Sequence, residues 1–197
     1  MAIPNVTRGG LKSARTLAAG TATRILLTPV VMGLILLPEE TDDVATLAAI
    51  LFCVAAATDW VDGRLARRWN ATTKLGSFLD TTADKLLVSG VLIALLGAER
   101  VSPWIVALIV GRELVLMGVR GVVASEGEVM VPSMLGKLKT SVQFVAIALA
   151  ILRPGDELGG LYVDEWAMLV AAAITVWSAA DYLVRVWPAL TRGDSPA

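Results

Sequence analysis

The chain alternates long apolar stretches with short charged connections. A membrane-spanning helix needs about 20 apolar residues, and six stretches are long enough: 17–37, 44–66, 79–96, 104–124, 135–152 and 166–187. Turn-forming or charged residues such as Pro38-Glu39-Glu40 fill the connections. The pattern predicts an all-α, polytopic membrane protein, with six transmembrane helices in a single domain over residues 1–197.

Residues 1–20 differ from the stretches that follow. Between positions 5 and 20, the basic residues Arg8, Lys12 and Arg15 alternate with small and apolar ones. This mixture is typical of a short helix that lies along the cytoplasmic membrane interface. The alternative is a charged flank that only fixes the topology.

Lys and Arg are distributed unevenly among the connections. They concentrate before the first stretch and in the second and fourth connections, whereas the other three are acidic apart from Arg100 and Arg153. Basic connections stay on the cytoplasmic side of a membrane. The sequence therefore predicts a multi-pass cell-membrane protein with both termini in the cytoplasm.

The composition narrows the class of protein further. AVILMFWYC residues make up 56% and charged residues 18%, against about 25% charged in soluble domains. These values exclude a disordered chain and argue against an ordinary soluble enzyme. The net charge of −1 gives no reason to expect a nucleic-acid partner. With one Cys and no His, catalysis must use carboxylates, hydroxyls, Lys or Arg, or a metal held by oxygen.

Four carboxylates stand out around the second connection. Asp59 and Asp62 are three residues apart, and Asp80 and Asp84 are four apart, so each pair lies on one face of its helix. Because a cytoplasmic turn joins the two helices, the pairs can face each other. Their mutual repulsion and all-oxygen chemistry indicate bound Mg²⁺, Mn²⁺ or Ca²⁺, and two such ions could hold a diphosphate. In the alternative interpretation these Asp residues pair with nearby Arg and Lys, or lie in water.

The same segment matches a known signature. It reads Asp59-x-x-Asp62-Gly63-x-x-Ala66-Arg67, then eight residues, then Gly76-x-x-x-Asp80-x-x-x-Asp84. This pattern resembles the complete signature of the CDP-alcohol phosphotransferase family. The resemblance implies a membrane enzyme, homodimeric in its relatives, that moves a phosphatidyl or similar group from a CDP-linked donor to a hydroxyl and releases CMP.

The resemblance also implies roles for the signature residues. Two Mg²⁺ or Mn²⁺ ions are expected on Asp59, Asp62, Asp80 and Asp84, and Asp84 is also the expected general base on the acceptor hydroxyl. The cytidine nucleotide of the donor is expected to contact Asp62, Gly63, Arg67 and Gly76. The active site is expected to face the cytoplasm, where the nucleotide arrives, and to open sideways to membrane lipids.

The acceptor is indicated by basic residues further along the chain, namely Arg112, Arg120, Lys137 and Lys139. Arg and Lys directed at one spot are typical of a phosphate pocket. In the alternative interpretation they pair with Glu113 or with the Asp residues. The runs 111–120 and 135–143 resemble the branch of the family that uses CDP-diacylglycerol as donor and glycerol 3-phosphate as acceptor.

Other functions stay open at this point. Cardiolipin synthesis would use the same chemistry with phosphatidylglycerol as acceptor, and phosphatidylinositol phosphate synthesis would use an inositol phosphate. A small cation transporter belongs to a different class, and intramembrane Asp residues also line ion pathways. A non-catalytic scaffold explains neither the four Asp residues nor the spacing of Gly63 and Gly76.

Overall fold

The computed structural model describes residues 8–37, 41–69, 74–125, 134–155 and 157–192. Helical residues 8–19, 59–69, 74–77, 125, 137 and 188–192 are described by their backbone only. The chain divides into two compact units, Met1–Ala98 and Glu99–Ala197. The prediction that residues 1–197 form one membrane domain stays a prediction.

The first unit contains three helices: α1 (Arg8–Ile35), α2 (Asp42–Trp69) and α3 (Lys74–Gly97). Among the described residues, α1 packs against both α2 and α3, which contact each other less. Asp42 and Asp43 lie in the first turn of α2, where negative side chains stabilise the positive end of the helix dipole. Phe52 of α2 and Leu87 of α3 are completely buried in the apolar interior.

The N-terminal part of α1 differs from the sequence prediction. A short interfacial helix before the first span was expected, but α1 runs without a break from Arg8 to Ile35. Residues 8–19 are mostly good helix formers, and a single Gly20 at the junction costs only about 1 kcal/mol, which does not end a helix. The interfacial segment is thus a continuation of α1, and residues 1–7 lie outside the described part.

Two glycines of α3 set its distance from α1. A Cβ atom built on Gly90 would lie 2.9 Å from Thr28 Cγ2 and 3.0 Å from Met32 Sδ, and one on Gly97 would lie 3.1 Å from Leu36 Cδ2. The later glycine of α3 faces the later residue of α1, so the two helices run side by side in the same direction. Gly90 is the closer of the two approaches.

Gly90→Ala is expected to destabilise the protein by about 1–3 kcal/mol, the usual cost of overpacking a tight interface. The branched Thr28 side chain cannot move away without shifting α1. Thermal unfolding of the detergent-solubilised protein measures the effect. Gly33→Ala is the matched control, because no atom lies within 4 Å of its Cβ position. An unfolding temperature equal to that of the control would contradict the prediction.

The second unit contains three helices and two short strands: α4 (Pro103–Ser125), α5 (Met134–Leu152), β1 (Glu157–Leu158), β2 (Leu161–Tyr162) and α6 (Val163–Arg192). α6 is its central helix and packs against α4 and α5. Pro103 occupies the first position of α4, where a missing N–H costs nothing. The apolar interior of this unit includes Ile109, Ile147 and Met168.

Two strands of two residues each are an exception to the predicted all-α fold, which the mostly helical structure otherwise supports. β1 and β2 form an antiparallel hairpin, with Leu158 opposite Leu161. Gly159 and Gly160 make the turn with φ of +65° and +84°. Two positive φ angles in a two-residue loop suit the twist of a hairpin, and Gly-Gly adopts them without strain. The sequence prediction treated this stretch only as a charged connection.

The hairpin is attached to the start of α6. Glu165 Oε2 accepts a hydrogen bond of 2.9 Å from the backbone N–H of Tyr162, and Trp166 Nε1 donates one of 2.8 Å to the Leu158 carbonyl. The first contact places a Glu in the third helical position against the N–H of the residue that precedes the helix, as in a capping box. Arg153 lies over the Tyr162 ring, 5.2 Å from its centroid.

Each of the six described helices overlaps one of the six predicted stretches, although α1 begins earlier than predicted. Within the described residues, Met134–Leu152 and Val163–Trp187 are long and apolar enough to cross a membrane, and Gly20–Ile35 is a shorter apolar segment. Charges interrupt the others: α3 carries Asp80, Asp84 and Lys85, and α4 carries Arg112, Glu113 and Arg120. The helical, membrane-type architecture is supported, while the number of spans stays a prediction.

Candidate active site

The first group of candidate residues lies on α3. Asp80 and Asp84 are one turn apart and share a face of this helix. The Asp80 side chain is 38% exposed and that of Asp84 is 19% exposed. Both carboxylates are therefore held near the surface of the first unit, where a ligand can reach them.

Each of these carboxylates has a basic partner. Asp84 Oδ2 lies 3.3 Å from Nζ of the adjacent Lys85. Asp80 Oδ1 lies 2.9 Å from Nη1 of Arg24 on α1, and Thr21 Oγ1 donates to the same oxygen at 3.4 Å. The pairing expected in the alternative interpretation is thus present for the described carboxylates. These ion pairs engage one oxygen of each carboxylate, while an ionised carboxylate has about four lone-pair sites.

The donor chemistry of this group fits a hard divalent cation. Asp80 and Asp84 supply carboxylate oxygens, the ligands that Mg²⁺ and Mn²⁺ prefer. No cluster of three acidic or other metal-ligating side chains occurs among the residues whose side chains are described. The side chains of the other signature residues lie outside that part: Asp59, Asp62, Gly63, Arg67 and Gly76. The arrangement in which the two Asp pairs face each other stays a prediction.

The second group lies in the other unit and is centred on Glu113 of α4. Glu113 Oε1 accepts from Arg112 Nη1 at 2.9 Å and from Lys139 Nζ on α5. The three side chains are 12%, 3% and 4% exposed for Arg112, Glu113 and Lys139. Pairing with Glu113 is what the alternative interpretation expected for these two basic residues.

Within the described residues, the three side chains of the Glu113 cluster carry two positive charges and one negative charge. One carboxylate neutralises only one of these two cations. Burial of the excess positive charge is costly unless an anion binds. Two further donors are buried without a hydrogen-bond partner in the described part, Arg112 Nε and Gln143 Nε2. Gln143 follows Lys139 by one turn on α5, so both side chains point to the same side of that helix. The chemistry of this cluster suits an anion.

Two residues of α6 contact the arginines of α4. Arg112 Nη2 lies 2.9 Å from Ser178 Oγ, and the Arg120 guanidinium lies 5.3 Å from the centroid of the Tyr182 ring. The Tyr182 hydroxyl is also buried without a hydrogen-bond partner among the described residues. The structure therefore brings Arg112 and Lys139 together on Glu113, and places Arg120 against α6. The side chain of Lys137 lies outside the described part.

Sequence reasoning assigned no site role to five residues in these contacts: Thr21, Arg24, Gln143, Ser178 and Tyr182. Arg24 lies inside the apolar stretch 17–37, and an Arg in such a stretch is itself a sign of function. On α6, Ser178 and Tyr182 are one turn apart, in a stretch that also carries the polar residues Thr175 and Asp181. This spacing, which places the Ser178 and Tyr182 side chains on one face of a helix, could have been recognised from the sequence.

Comparison with known proteins decides the family. The family model for CDP-alcohol phosphatidyltransferase matches residues 18–177, which is most of the chain. The chain belongs to the CDP-alcohol phosphatidyltransferase family. It is therefore a transferase, and the resemblance seen in the signature is confirmed. The matched region of this phosphatidyltransferase includes Arg24, both described carboxylates and the Glu113 cluster, and ends just before Ser178.

Curated relatives of this phosphatidyltransferase carry a more specific name. A Bacillus subtilis (strain 168) protein is 41% identical over 181 residues, which cover 86% of the chain and 94% of the relative. An Escherichia coli (strain K12) protein is 39% identical over 169 residues, which cover 83% and 90%. Both are named CDP-diacylglycerol–glycerol-3-phosphate 3-phosphatidyltransferase.

Proposed function

We propose that the protein transfers the phosphatidyl group of CDP-diacylglycerol to glycerol 3-phosphate, giving phosphatidylglycerophosphate and CMP. The observation that carries the proposal is the identity of 41% to the Bacillus subtilis relative, over 94% of its length. The buried, net positive Glu113 cluster supports it independently, because the acceptor carries a phosphomonoester. Phosphatidylglycerol, the acceptor in cardiolipin synthesis, lacks that group.

The site residues divide between donor and acceptor. Two Mg²⁺ or Mn²⁺ ions would be held by Asp59, Asp62, Asp80 and Asp84, and the nucleotide of the donor by Asp62, Gly63, Arg67 and Gly76. The phosphate of the acceptor would be bound by Arg112, Arg120, Lys137 and Lys139. The contacts of Arg112 with Ser178 and of Arg120 with Tyr182 support this assignment, because they restrict the freedom of both guanidinium groups.

The chemistry follows from these assignments. The acceptor hydroxyl is a weak nucleophile, and in this proposal the Asp84 carboxylate removes its proton as general base. The hydroxyl oxygen forms a bond to the phosphorus next to diacylglycerol, the bond from that phosphorus to the bridging oxygen breaks, and CMP leaves. The chemistry that the divalent ions supply when bound is neutralisation of the diphosphate and of the leaving CMP.

The membrane arrangement is part of the proposal. Six spans, cytoplasmic termini and a cytoplasmic active site follow from the hydropathy pattern and the Lys and Arg distribution. The distribution of side chains supports a lipid environment: Leu26, Ile50, Ile93 and Val145 are about half exposed or more, whereas Arg24 is buried. Large exposed apolar surface is unusual on a soluble monomer and costs nothing in lipid. A homodimer stays a prediction.

The test is CMP release by the purified protein in detergent, with CDP-diacylglycerol, Mg²⁺ and one acceptor at a time. We expect release with glycerol 3-phosphate and none with phosphatidylglycerol, inositol phosphate or no acceptor. Turnover with another acceptor alone would keep the family chemistry and overturn the assigned acceptor. If every acceptor fails in folded protein, while liposomes that contain the protein conduct cations, the transporter alternative replaces the proposal.

A further inference from the structure

Arg24 is the largest fully buried side chain of the described protein, with 0% exposure. It lies on α1, and its guanidinium is 2.9 Å from Asp80 Oδ1 on α3. Burial of a guanidinium costs several kcal/mol of hydration, and buried ion pairs rarely repay that cost in stability. A buried Arg that has a surface-accessible carboxylate among its partners therefore calls for an explanation beyond packing.

The packing of α1 on α3 fixes where the two charged groups meet. The close contacts of Gly90 with Thr28 and Met32 lock the parallel register of the helices. Thr28 Oγ1 also donates to the Arg24 carbonyl at 2.8 Å. With this register set, Arg24 approaches Asp80 from the buried side and holds its Oδ1 atom. The partly exposed remainder of the carboxylate stays available on the other side.

We propose that Arg24 is a positioning residue: it fixes the Asp80 carboxylate in the orientation that holds a divalent cation. This inference rests on the proposed function, in which Asp80 is one of the ligands. Thr21 supports the same oxygen from one turn away on α1, at 3.4 Å. A ligand held by a second, non-ligating side chain loses less freedom when the ion binds.

The direction in which divalent-cation affinity changes when Arg24 is removed distinguishes a positioning role from a purely electrostatic one. A positive charge next to a carboxylate repels a cation, so loss of Arg24 through charge alone should strengthen divalent-cation binding. Loss of a positioning contact should weaken it, by about tenfold or more for supporting residues around metal ligands. A role in helix packing alone would change the unfolding temperature and leave the affinity of the folded protein unchanged.

The experiment measures Mn²⁺ binding by electron paramagnetic resonance, with purified full-length protein in detergent and without lipid substrates. Arg24→Met removes the charge and keeps the length, whereas Arg24→Lys keeps the charge and loses the planar guanidinium. Thr175→Val is the control, because Thr175 is a buried polar side chain of α6 whose hydroxyl donates to the Ala171 carbonyl in the other unit. CMP release and the unfolding temperature are measured on every variant.

We expect Arg24→Met to bind Mn²⁺ about tenfold more weakly and to lose kcat while the KM for glycerol 3-phosphate is unchanged. Arg24→Lys should recover part of the affinity, and Thr175→Val should match the wild type. Equal or tighter Mn²⁺ binding by folded Arg24→Met overturns the inference, and so does loss of the folded state in both Arg24 variants. A wild-type protein that neither binds Mn²⁺ nor releases CMP refutes the proposed function instead.

Discussion

Asp84→Asn should lower the rate of CMP release by about a thousandfold, since a general base contributes roughly 10² to 10⁴ to a rate. Asparagine keeps the size and polarity of the side chain but cannot accept the proton of the acceptor hydroxyl. It also removes a negative charge from the α3 carboxylate pair. The measurement is kcat with saturating CDP-diacylglycerol, glycerol 3-phosphate and Mg²⁺.

Two control variants distinguish loss of the general base from loss of its ion pair or of another carboxylate. Lys85→Met removes the ion-pair partner of Asp84 at 3.3 Å, and Asp43→Asn removes an exposed carboxylate in the first turn of α2. Both variants should retain most of the activity. If Lys85→Met lost as much activity as Asp84→Asn, the ion pair and not the free carboxylate would be what the reaction requires.

Glu113→Gln should destabilise the second unit by about 3–5 kcal/mol, the usual cost of removing one partner of a buried ion pair. The change leaves Arg112 and Lys139 buried without the carboxylate that both contact. Thermal unfolding in detergent measures the loss. Inorganic phosphate in the buffer should raise the unfolding temperature of this variant more than that of the wild type, because the cluster then lacks two countercharges.

The matched control for Glu113→Gln is Glu157→Gln, which changes an exposed Glu of β1 and should leave the unfolding temperature unaltered. The double variant Glu113→Gln with Lys139→Met restores the original net charge and should recover part of the loss. A single variant as stable as the wild type, with no response to phosphate, would contradict both the ion-pair network and the anion site.

The helices could be predicted from the sequence because their signals are local. The apolar stretch 166–187 lies within α6, and the structure adds only a capping turn and a polar end. The separate interfacial helix was wrong because no residue near Gly20 is strong enough to break α1, which continues from Arg8 to Ile35. The hairpin was missed although Gly159-Gly160 is a recognised turn signal, because two-residue strands have almost no hydrophobic pattern.

Only the features of the site that depend on residue type and local spacing could be predicted from the sequence. Asp80 and Asp84 share a face because any helix would put them there, so this part required no tertiary information. Their partners depend on packing between helices: Thr21 contacts Asp80 across 59 residues, and Lys139 contacts Glu113 across 26. No local pattern specifies which of several basic residues makes such a contact.

The central helices of the two units have opposite places in the order of synthesis. α1 is the hub of its unit and precedes both helices that pack on it, whereas α6 is the hub of its unit and follows both of its partners. Chains assemble from the N-terminus as they emerge from the ribosome. Each helix added to the first unit therefore finds its binding surface already made. α4 and α5 instead precede the helix on which both pack, so the Arg112–Ser178 contact forms only after α6 has been made.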